Sequence, residues 1–307
     1  MVLGRQVIYP ASSFSVNHAE RPHLFLFDNG SLRAASTLSL RRLGQSLSER
    51  TGTAFHAVSL LHSSAVPAEE LGGTPAELLE PALLRWLQDH PRGEAVLLPV
   101  FFGPSAALID YVPERLKSIH ARYPEAAIRL ADCLVSPSES DARIAAALAD
   151  AARASVREHA LAEPKVLLVD HGSPQPAVAA VRDHLASQVR ELLSDLTRVV
   201  GAASMERRPG PQYAFNDPLL SVALTEPPFD QGDVVVLLQF LAPGRHAGPR
   251  GDIAQICDEA TRGRARLRTF MTEPIGNDPR VVEVLLQRYE EAVQSSFRGS
   301  INPTSSA

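Results

Sequence analysis

The chain has 307 residues, 45% hydrophobic and 21% charged, an ordinary composition for a globular protein with room for one large or two medium domains. A formal net charge of −5 and a pI of about 6.1 leave no basic field for nucleic acid or an anionic membrane. Cys133 and Cys257 show no paired spacing, which argues against a disulfide framework and favours a reducing, cytoplasmic compartment.

We expect neither a signal peptide nor a membrane segment in this sequence, and a disordered carboxyl-terminal tail. Residues 1–20 contain charged and polar side chains and no long apolar core, so we expect no signal peptide. No apolar run approaches the ~18 residues that span a bilayer, so we expect no membrane segment. Residues 296–307 are mostly small and polar and are predicted to form a disordered tail.

Hydrophobic patterning in the first half predicts alternating strands and helices. An apolar strand at 24–27 ends in the turn Asp28-Asn29-Gly30-Ser31, and a helix with leucines near helical spacing follows at 34–50. A second helix begins either near Glu80-Pro81, where proline fits the first turn, or at Thr74, which would make Pro81 a kink. The other predicted elements are strands at 54–61, 96–102 and 128–135 and helices at 113–121 and 140–158.

The same pattern restarts after Glu163-Pro164. Residues 165–173 repeat the first strand and its DxGS turn 142 positions later, and 232–243 align without gaps with 93–104. Two shorter matches pair 217–220 with 80–83 and 277–281 with 140–144. This order predicts a gene duplication into two tandem α/β domains, residues 21–160 and 164–295. Each would be a parallel four-stranded sheet flanked by helices, with an active cleft between the domains.

Two histidines distinguish the second half from the first. His171 stands where the first half has Asn29, and His246 lies on a glycine-rich loop after the buried strand 234–238. The carboxyl ends of parallel strands meet at one edge of a sheet, where ligands bind. Two neutral imidazoles at such an edge suit Co²⁺, Fe²⁺, Ni²⁺ or Zn²⁺. We therefore predict one working site, in the second half.

Glu206 follows the strand predicted at 198–205 and is a candidate third ligand or proton acceptor. Its counterpart in the first half is predicted to lie near His62. Asp252 is expected to cap the helix that follows the His246 loop.

Several residues near these histidines suit anionic groups. Gly172 and Ser173 precede a helix expected to start near Pro176, and free N–H groups at a helix start attract anions. Arg245 and Arg250 add positive charge suited to carboxylates or phosphates.

Each candidate also has a simpler interpretation. His171 could be a turn residue whose ring binds a backbone carbonyl, and His246 could be a solvated loop residue. Glu206 could be a solvent-facing carboxylate beside Arg207 and Arg208. The spacing matches no Walker loop, GxGxxG or GxSxG motif, so nucleotide binding and serine hydrolysis find no support.

Three segments resemble the sirohydrochlorin chelatases of cobalamin and siroheme synthesis. Residues 169–173, VDHGS, resemble the strand and HGS motif of that family, 240–253, FLAPGRHAGPRGDI, its second signature, and 274–279, PIGNDP, its closing loop. Ser204-Met205-Glu206 resembles, more loosely, the place of a family carboxylate. The resemblance covers most of 165–294 and extends over 23–160 as a degenerate copy.

The chain departs from that family in two ways. Pro174 follows the HGS motif where members often have arginine. The better motifs lie in the second half, whereas two-domain members commonly carry the site in the first.

The resemblance implies two chelatase-like domains that hold a tetrapyrrole between them and insert Co²⁺ or Fe²⁺ into sirohydrochlorin or a related macrocycle. The divalent metal, Co²⁺, Fe²⁺ or Ni²⁺, is then a substrate, and no organic cofactor is expected. His171 and His246 would handle the metal and, with Glu206, accept pyrrole protons. The groups that would bind the acidic side chains of the substrate are Gly172, Ser173, Arg245 and Arg250.

Two other functions stay open from the sequence: a metal or tetrapyrrole carrier that has lost turnover, and a scaffold protein with neither property. We expect a monomer or a weak homodimer with a tetrapyrrole as its partner, and neither nucleic acid nor a membrane.

Overall fold

The computed structural model describes residues 22–299, which form two separate four-stranded parallel sheets. The strands are β1 His23–Asp28, β2 Phe55–Ser59, β3 Glu94–Pro99, β4 Ala127–Leu130, β5 Lys165–Asp170, β6 Val200–Ser204, β7 Gly232–Leu238 and β8 Leu267–Met271. The strand orders are β2-β1-β3-β4 and β6-β5-β7-β8. The predicted fold class, two α/β sheets of the same topology, is confirmed.

Helices connect the strands throughout. They are α1 Ala34–Thr51, α2 Leu79–Asp89, α3 Val112–Arg122, α4 Arg143–Glu158, α5 Pro176–Leu192, α6 Leu220–Ala223, α7 Asp252–Thr261 and α8 Pro279–Gly299. Because α2 starts at Leu79, Pro81 lies in its first turn, and the alternative start at Thr74 is wrong. The central strands are continuous apolar runs because they are buried on both faces, with residues 166–169 of β5 fully inaccessible to solvent.

The two sheets share one register. His23 of β1 pairs with Ala95 of β3, and Lys165 of β5 pairs in the same way with Val234 of β7, so the gapless alignment of 93–104 with 232–243 is confirmed. The alignment of 277–281 with 140–144 is also confirmed. Asp141 and Asp278 each accept a backbone N–H and a guanidinium from the arginine two residues later.

One of the predicted internal alignments is wrong. Ser59 and Ser204 form equivalent bridges to Leu78 and Leu219, so residues 217–220 correspond to 76–79 and not to 80–83. The shared proline misled the comparison, because Pro218 precedes α6 whereas Pro81 lies within α2.

The compact units differ from the predicted domains in their helices. Within the described residues, unit 1 comprises 22–101, 107–134 and 282–299, and unit 2 comprises 102–106 and 135–281. In unit 2, α4 packs against α5 and β7 and Arg153 pairs with Asp195. In unit 1, Tyr289 of α8 contacts Phe55, with ring centroids 5.7 Å apart. Thus α4 and most of α8 belong to the unit of the other half's sheet, and the domain boundaries 21–160 and 164–295 stay a prediction.

The carboxyl-terminal helix α8 extends into the segment that was predicted to be a disordered tail. It continues to Gly299, so the first four residues of the predicted disordered tail are helical. The rest of that tail, 300–307, and residues 1–21, where no signal peptide is predicted, lie outside the described residues. Between residues 22 and 299, every helix is too short or too polar to traverse a bilayer.

Candidate metal centre

The predicted site residues lie at the carboxyl edge of the second sheet, all within unit 2. His171 follows β5 directly, and Glu206 follows β6 after a single intervening residue. His246 lies in the long loop between β7 and α7. Three neighbouring strands therefore deliver one candidate side chain each to the same edge.

A glycine lets the first two loops approach each other. Gly172 has φ +90°, and a Cβ added there would lie 1.9 Å from the carbonyl oxygen of Glu206. The Glu206 N–H donates to the carbonyl of His171 at 3.2 Å, and the Met205 N–H donates to that of Asp170 at 2.8 Å. These backbone bonds hold His171 and Glu206 side by side.

The first sheet repeats this backbone arrangement without the histidine and the glutamate. Gly30 has φ +86°, and its added Cβ would lie 1.7 Å from the carbonyl oxygen of Leu61. The Leu61 N–H donates to the carbonyl of Asn29 at 3.1 Å. Leu61 therefore occupies the position of Glu206, next to His62, near which the counterpart was predicted. The scaffold keeps the turn but presents asparagine and leucine in place of histidine and glutamate.

The structure brings the two candidate histidines together. The ring centroids of His171 and His246 are 4.6 Å apart, with the ring planes inclined at 54°. The Nε2 atom of His171 lies 3.4 Å from Oε1 of Glu206. The side chains of His171 and Glu206 are 47% and 63% exposed, so the group is open to a ligand from solvent.

Hydrogen bonds determine which nitrogen of each ring is free to bind. Nδ1 of His171 donates to the carbonyl of Gly172 at 3.0 Å, and Nδ1 of His246 donates to Oδ2 of Asp252 at 2.7 Å. Since both acceptors require the proton on Nδ1, each neutral ring presents its lone pair at Nε2. A carboxylate behind a histidine is the usual way to orient and strengthen a metal ligand. The carbonyl contact proposed as the simpler role of His171 is present, and it also orients the ring.

Asp252 does not cap its helix, contrary to the expectation from the sequence. It is the first residue of α7, the capping position is Gly251, and no side-chain capping bond forms there. The Asp252 carboxylate instead contacts His246 and lies 3.5 Å from Nε of Arg245. An aspartate before a helix has the same sequence signature in both roles, so the sequence could not separate them.

The spacing of the acceptor atoms suits a shared cation. Two ligands of a tetrahedral ion with bonds near ~2.1 Å lie ~3.4 Å apart, which matches the separation of His171 Nε2 and Glu206 Oε1. Across residues 22–299, no three His, Cys, Asp or Glu side chains are already arranged as a complete metal site.

The predicted anion-binding residues differ in whether they have a group free to bind an anion. Arg245 is 78% exposed, and Arg250 is an exposed residue of the same loop. The backbone N–H of Ser173, in contrast, donates to Oδ1 of Asn216 at 2.9 Å, and the Ser173 hydroxyl accepts the N–H of Gln175. Ser173 therefore has no free backbone donor for a substrate anion.

A buried acid beneath the site was not identified from the sequence. Asp170 ends β5 and is only 4% exposed. Burial raises the pKa of its carboxyl group, and nearby Ser204, Arg182 and His171 oppose that rise. Asp28 occupies the same position in the first sheet and has a pKa raised by the same cause. Because both halves contain it, this acid belongs to the shared scaffold.

A family model matches the second half of the chain. Residues 165–292, which include all the candidate site residues, match the sequence model of the CbiX family. No curated protein matches the chain.

Solved structures extend the likeness to both sheets. SirB from Bacillus subtilis with Fe³⁺ is 14% identical with a TM-score of 0.63, covering 90% of this chain and 98% of that one. The sirohydrochlorin chelatase SirB from Bacillus subtilis subspecies spizizenii in complex with cobalt is 13% identical with a TM-score of 0.63, covering 90% and 97%. CbiX, described as the terminal enzyme of siroheme biosynthesis in denitrifying bacteria, is 15% identical with a TM-score of 0.56, covering 88% and 99%.

The TM-scores and coverages of these matches show a shared fold. Together with the family match, they confirm the predicted resemblance to the sirohydrochlorin chelatases, by sequence for residues 165–292 and by architecture for both sheets.

Proposed function

We propose that this chain, whose residues 165–292 match the CbiX family, inserts Co²⁺ or Fe²⁺ into sirohydrochlorin or a related tetrapyrrole in the cytoplasm. The observation that carries the proposal is the meeting of His171 and His246, with ring centroids 4.6 Å apart, at the ligand-binding edge of the matching half. The structural neighbours described as complexes with Fe³⁺ and with cobalt support a metal as the substrate.

The ion is captured by the two imidazoles in this account. His171 and His246 present Nε2 because their Nδ1 protons are held by Gly172 and Asp252. Neutral imidazole replaces water on a borderline divalent ion and releases it again to a better ligand. The open side of the ion faces solvent, where the nitrogens of a macrocycle can take over coordination one by one.

Metal insertion releases protons and transfers no electrons. Each divalent ion that enters the macrocycle replaces two N–H protons, which need an acceptor close to the metal. Glu206 is suited to this role because its carboxylate lies 3.4 Å from His171 and is 63% exposed, so it can pass protons to water. We propose that Glu206 is also a metal ligand before transfer.

The acidic side chains of the substrate require cationic partners. Arg245 and Arg250 project from the same loop as His246, and Arg245 is 78% exposed. We propose that these two guanidinium groups bind substrate carboxylates. Gly172, which has no side chain, lets the backbone of this turn approach the substrate closely. Ser173 supports the conformation of the turn.

The proposal is tested by absorption spectroscopy with purified protein and sirohydrochlorin. Addition of Co²⁺, Fe²⁺ or Ni²⁺ should remove the band of the free macrocycle faster than in protein-free controls, and His171→Ala should reduce the rate to that of the control. Binding of the macrocycle with no metal-dependent acceleration would contradict the enzyme and support the carrier. Absence of both binding and acceleration would support a scaffold.

A further inference from the structure

We infer that Asn216 and Asp217 form a clamp that sets the separation of His171 and Glu206. This inference rests on the proposed function, since it assigns the clamp to the same metal centre. Asn216 is fully buried. Its Oδ1 accepts the Ser173 N–H at 2.9 Å, and its Nδ2 donates to the carbonyls of Ser173 and Tyr213 at 2.9 and 3.1 Å. The amide thus fixes both backbone groups of a residue two positions from His171.

Asp217 reaches the other loop of the site. Its Oδ1 accepts Nε of Arg207 at 2.8 Å, and Arg207 directly follows Glu206. The same guanidinium donates to the carbonyls of Arg208 and Gly210 at 3.3 and 3.1 Å, so Arg207 is held at three points. Two consecutive residues therefore tie down the loop that carries His171 and the loop that carries Glu206.

An arginine tether on the same segment is common to both halves of the chain. Arg182 donates to the carbonyls of Phe215 and Asn216 at 3.1 and 3.2 Å. Arg41 donates to the carbonyls of Thr74 and Pro75 at 2.8 and 2.9 Å, the equivalent pair in the first half. Because both sheets use this tether, it serves the fold.

The clamp, in contrast, occurs only where the histidines are. The bridges of Ser59 to Leu78 and of Ser204 to Leu219 make Pro75 and Ala76 the counterparts of Asn216 and Asp217. Neither Pro75 nor Ala76 has a side chain that can make such hydrogen bonds. A sheet of this topology is therefore complete without the clamp, and we assign Asn216 and Asp217 as positioning residues of the metal centre.

The test measures binding of Co²⁺ alone together with thermal stability, in the full chain. Asn216→Ala and Asp217→Asn are each expected to raise the Kd for Co²⁺ by about tenfold or more, the usual effect of losing an outer-shell partner of a metal ligand. Asp217→Asn is expected to change the Tm little, because the Asp217 side chain is 43% exposed. Asp217→Glu, which keeps the charge, should recover most of the affinity.

The matched control is Arg41→Met, which removes the shared tether from the first half. It is expected to lower the Tm and leave the Kd for Co²⁺ unchanged. If the wild type binds Co²⁺ and both clamp variants bind it with the wild-type Kd, the positioning role of the clamp is wrong. The proposed function is unaffected by that result. A folded wild type that binds no Co²⁺ would overturn both. Should Asn216→Ala fail to fold, Asp217→Asn alone decides between these outcomes.

Discussion

Single side chains at the second sheet's edge have roles that follow from their hydrogen bonds. The 2.7 Å contact between Asp252 and Nδ1 of His246 fixes the tautomer that presents Nε2. His171 obtains the same tautomer from a backbone carbonyl, which mutation of a side chain cannot remove. Asp252 is therefore the residue through which the orientation of a candidate ligand can be altered without deleting that ligand.

Asp252→Asn is expected to weaken Co²⁺ binding by about tenfold with little loss of stability. The neutral amide can donate to Nδ1 and so favours the tautomer with its proton on Nε2, where the metal must bind. Titration of Co²⁺ followed by visible absorption measures the affinity. Arg245→Ala removes the other contact of Asp252 and should leave Co²⁺ affinity unchanged, and an equal loss in both variants would contradict the role of the tautomer.

The two halves contain equivalent turns, so effects of a substitution on the fold can be distinguished from effects on metal binding. The turns after β1 and β5 both contain a glycine with positive φ pressed against a carbonyl of the neighbouring loop, at Gly30 and Gly172. Only the second turn joins two candidate ligands. An identical substitution in each turn therefore imposes the same strain on the fold with different consequences for a metal.

Gly172→Ala and Gly30→Ala are both expected to destabilise the chain by roughly 1–3 kcal/mol, since alanine is strained at this φ and its Cβ displaces the facing carbonyl. Only Gly172→Ala is expected to weaken Co²⁺ binding, because it moves the backbone of Glu206 relative to His171. Thermal unfolding and Co²⁺ titration of the two variants provide the comparison. Equal Co²⁺ affinity in both would exclude a role for this turn in the site.

Across the whole molecule, the sheets and their histidines could be predicted from the sequence, but the assignment of helices to units could not. The buried runs 165–169 and 234–238 identify central parallel strands, and the repeat after Glu163-Pro164 identifies a second sheet. The amphipathic patterns of α4 and α8 show that each helix buries a face, but a periodicity cannot specify which sheet receives it.

The candidate site, too, could be predicted from the sequence only in part. The two histidines stand out because the first half lacks them. The hydrogen bonds of Asn216 could not be predicted from the sequence, because no motif links residues that are 43 positions apart.

His23 is expected to contribute a loss of stability in unit 1 as the pH falls below about 6.5. Burial and the neighbouring His56 and His90 lower the pKa of His23. The fold therefore favours the neutral ring. That stabilisation is complete above the unfolded pKa of about 6.5 and is lost as the pH falls through the lowered pKa.

His23→Phe should flatten the acid side of the stability profile. Trp86, the single tryptophan, stacks on His23 at 5.1 Å and allows urea unfolding of unit 1 to be followed by fluorescence. A variant with the same slope as wild type below pH 6.5 would show that other groups cause the loss.

The central claim is that His171 and His246 hold one metal ion between them, and titration of the purified chain with Co²⁺ tests it most directly. We predict a single Co²⁺ per chain, and a loss of affinity of at least about tenfold for either His171→Ala or His246→Ala. Wild-type affinity in both single variants would contradict the claim.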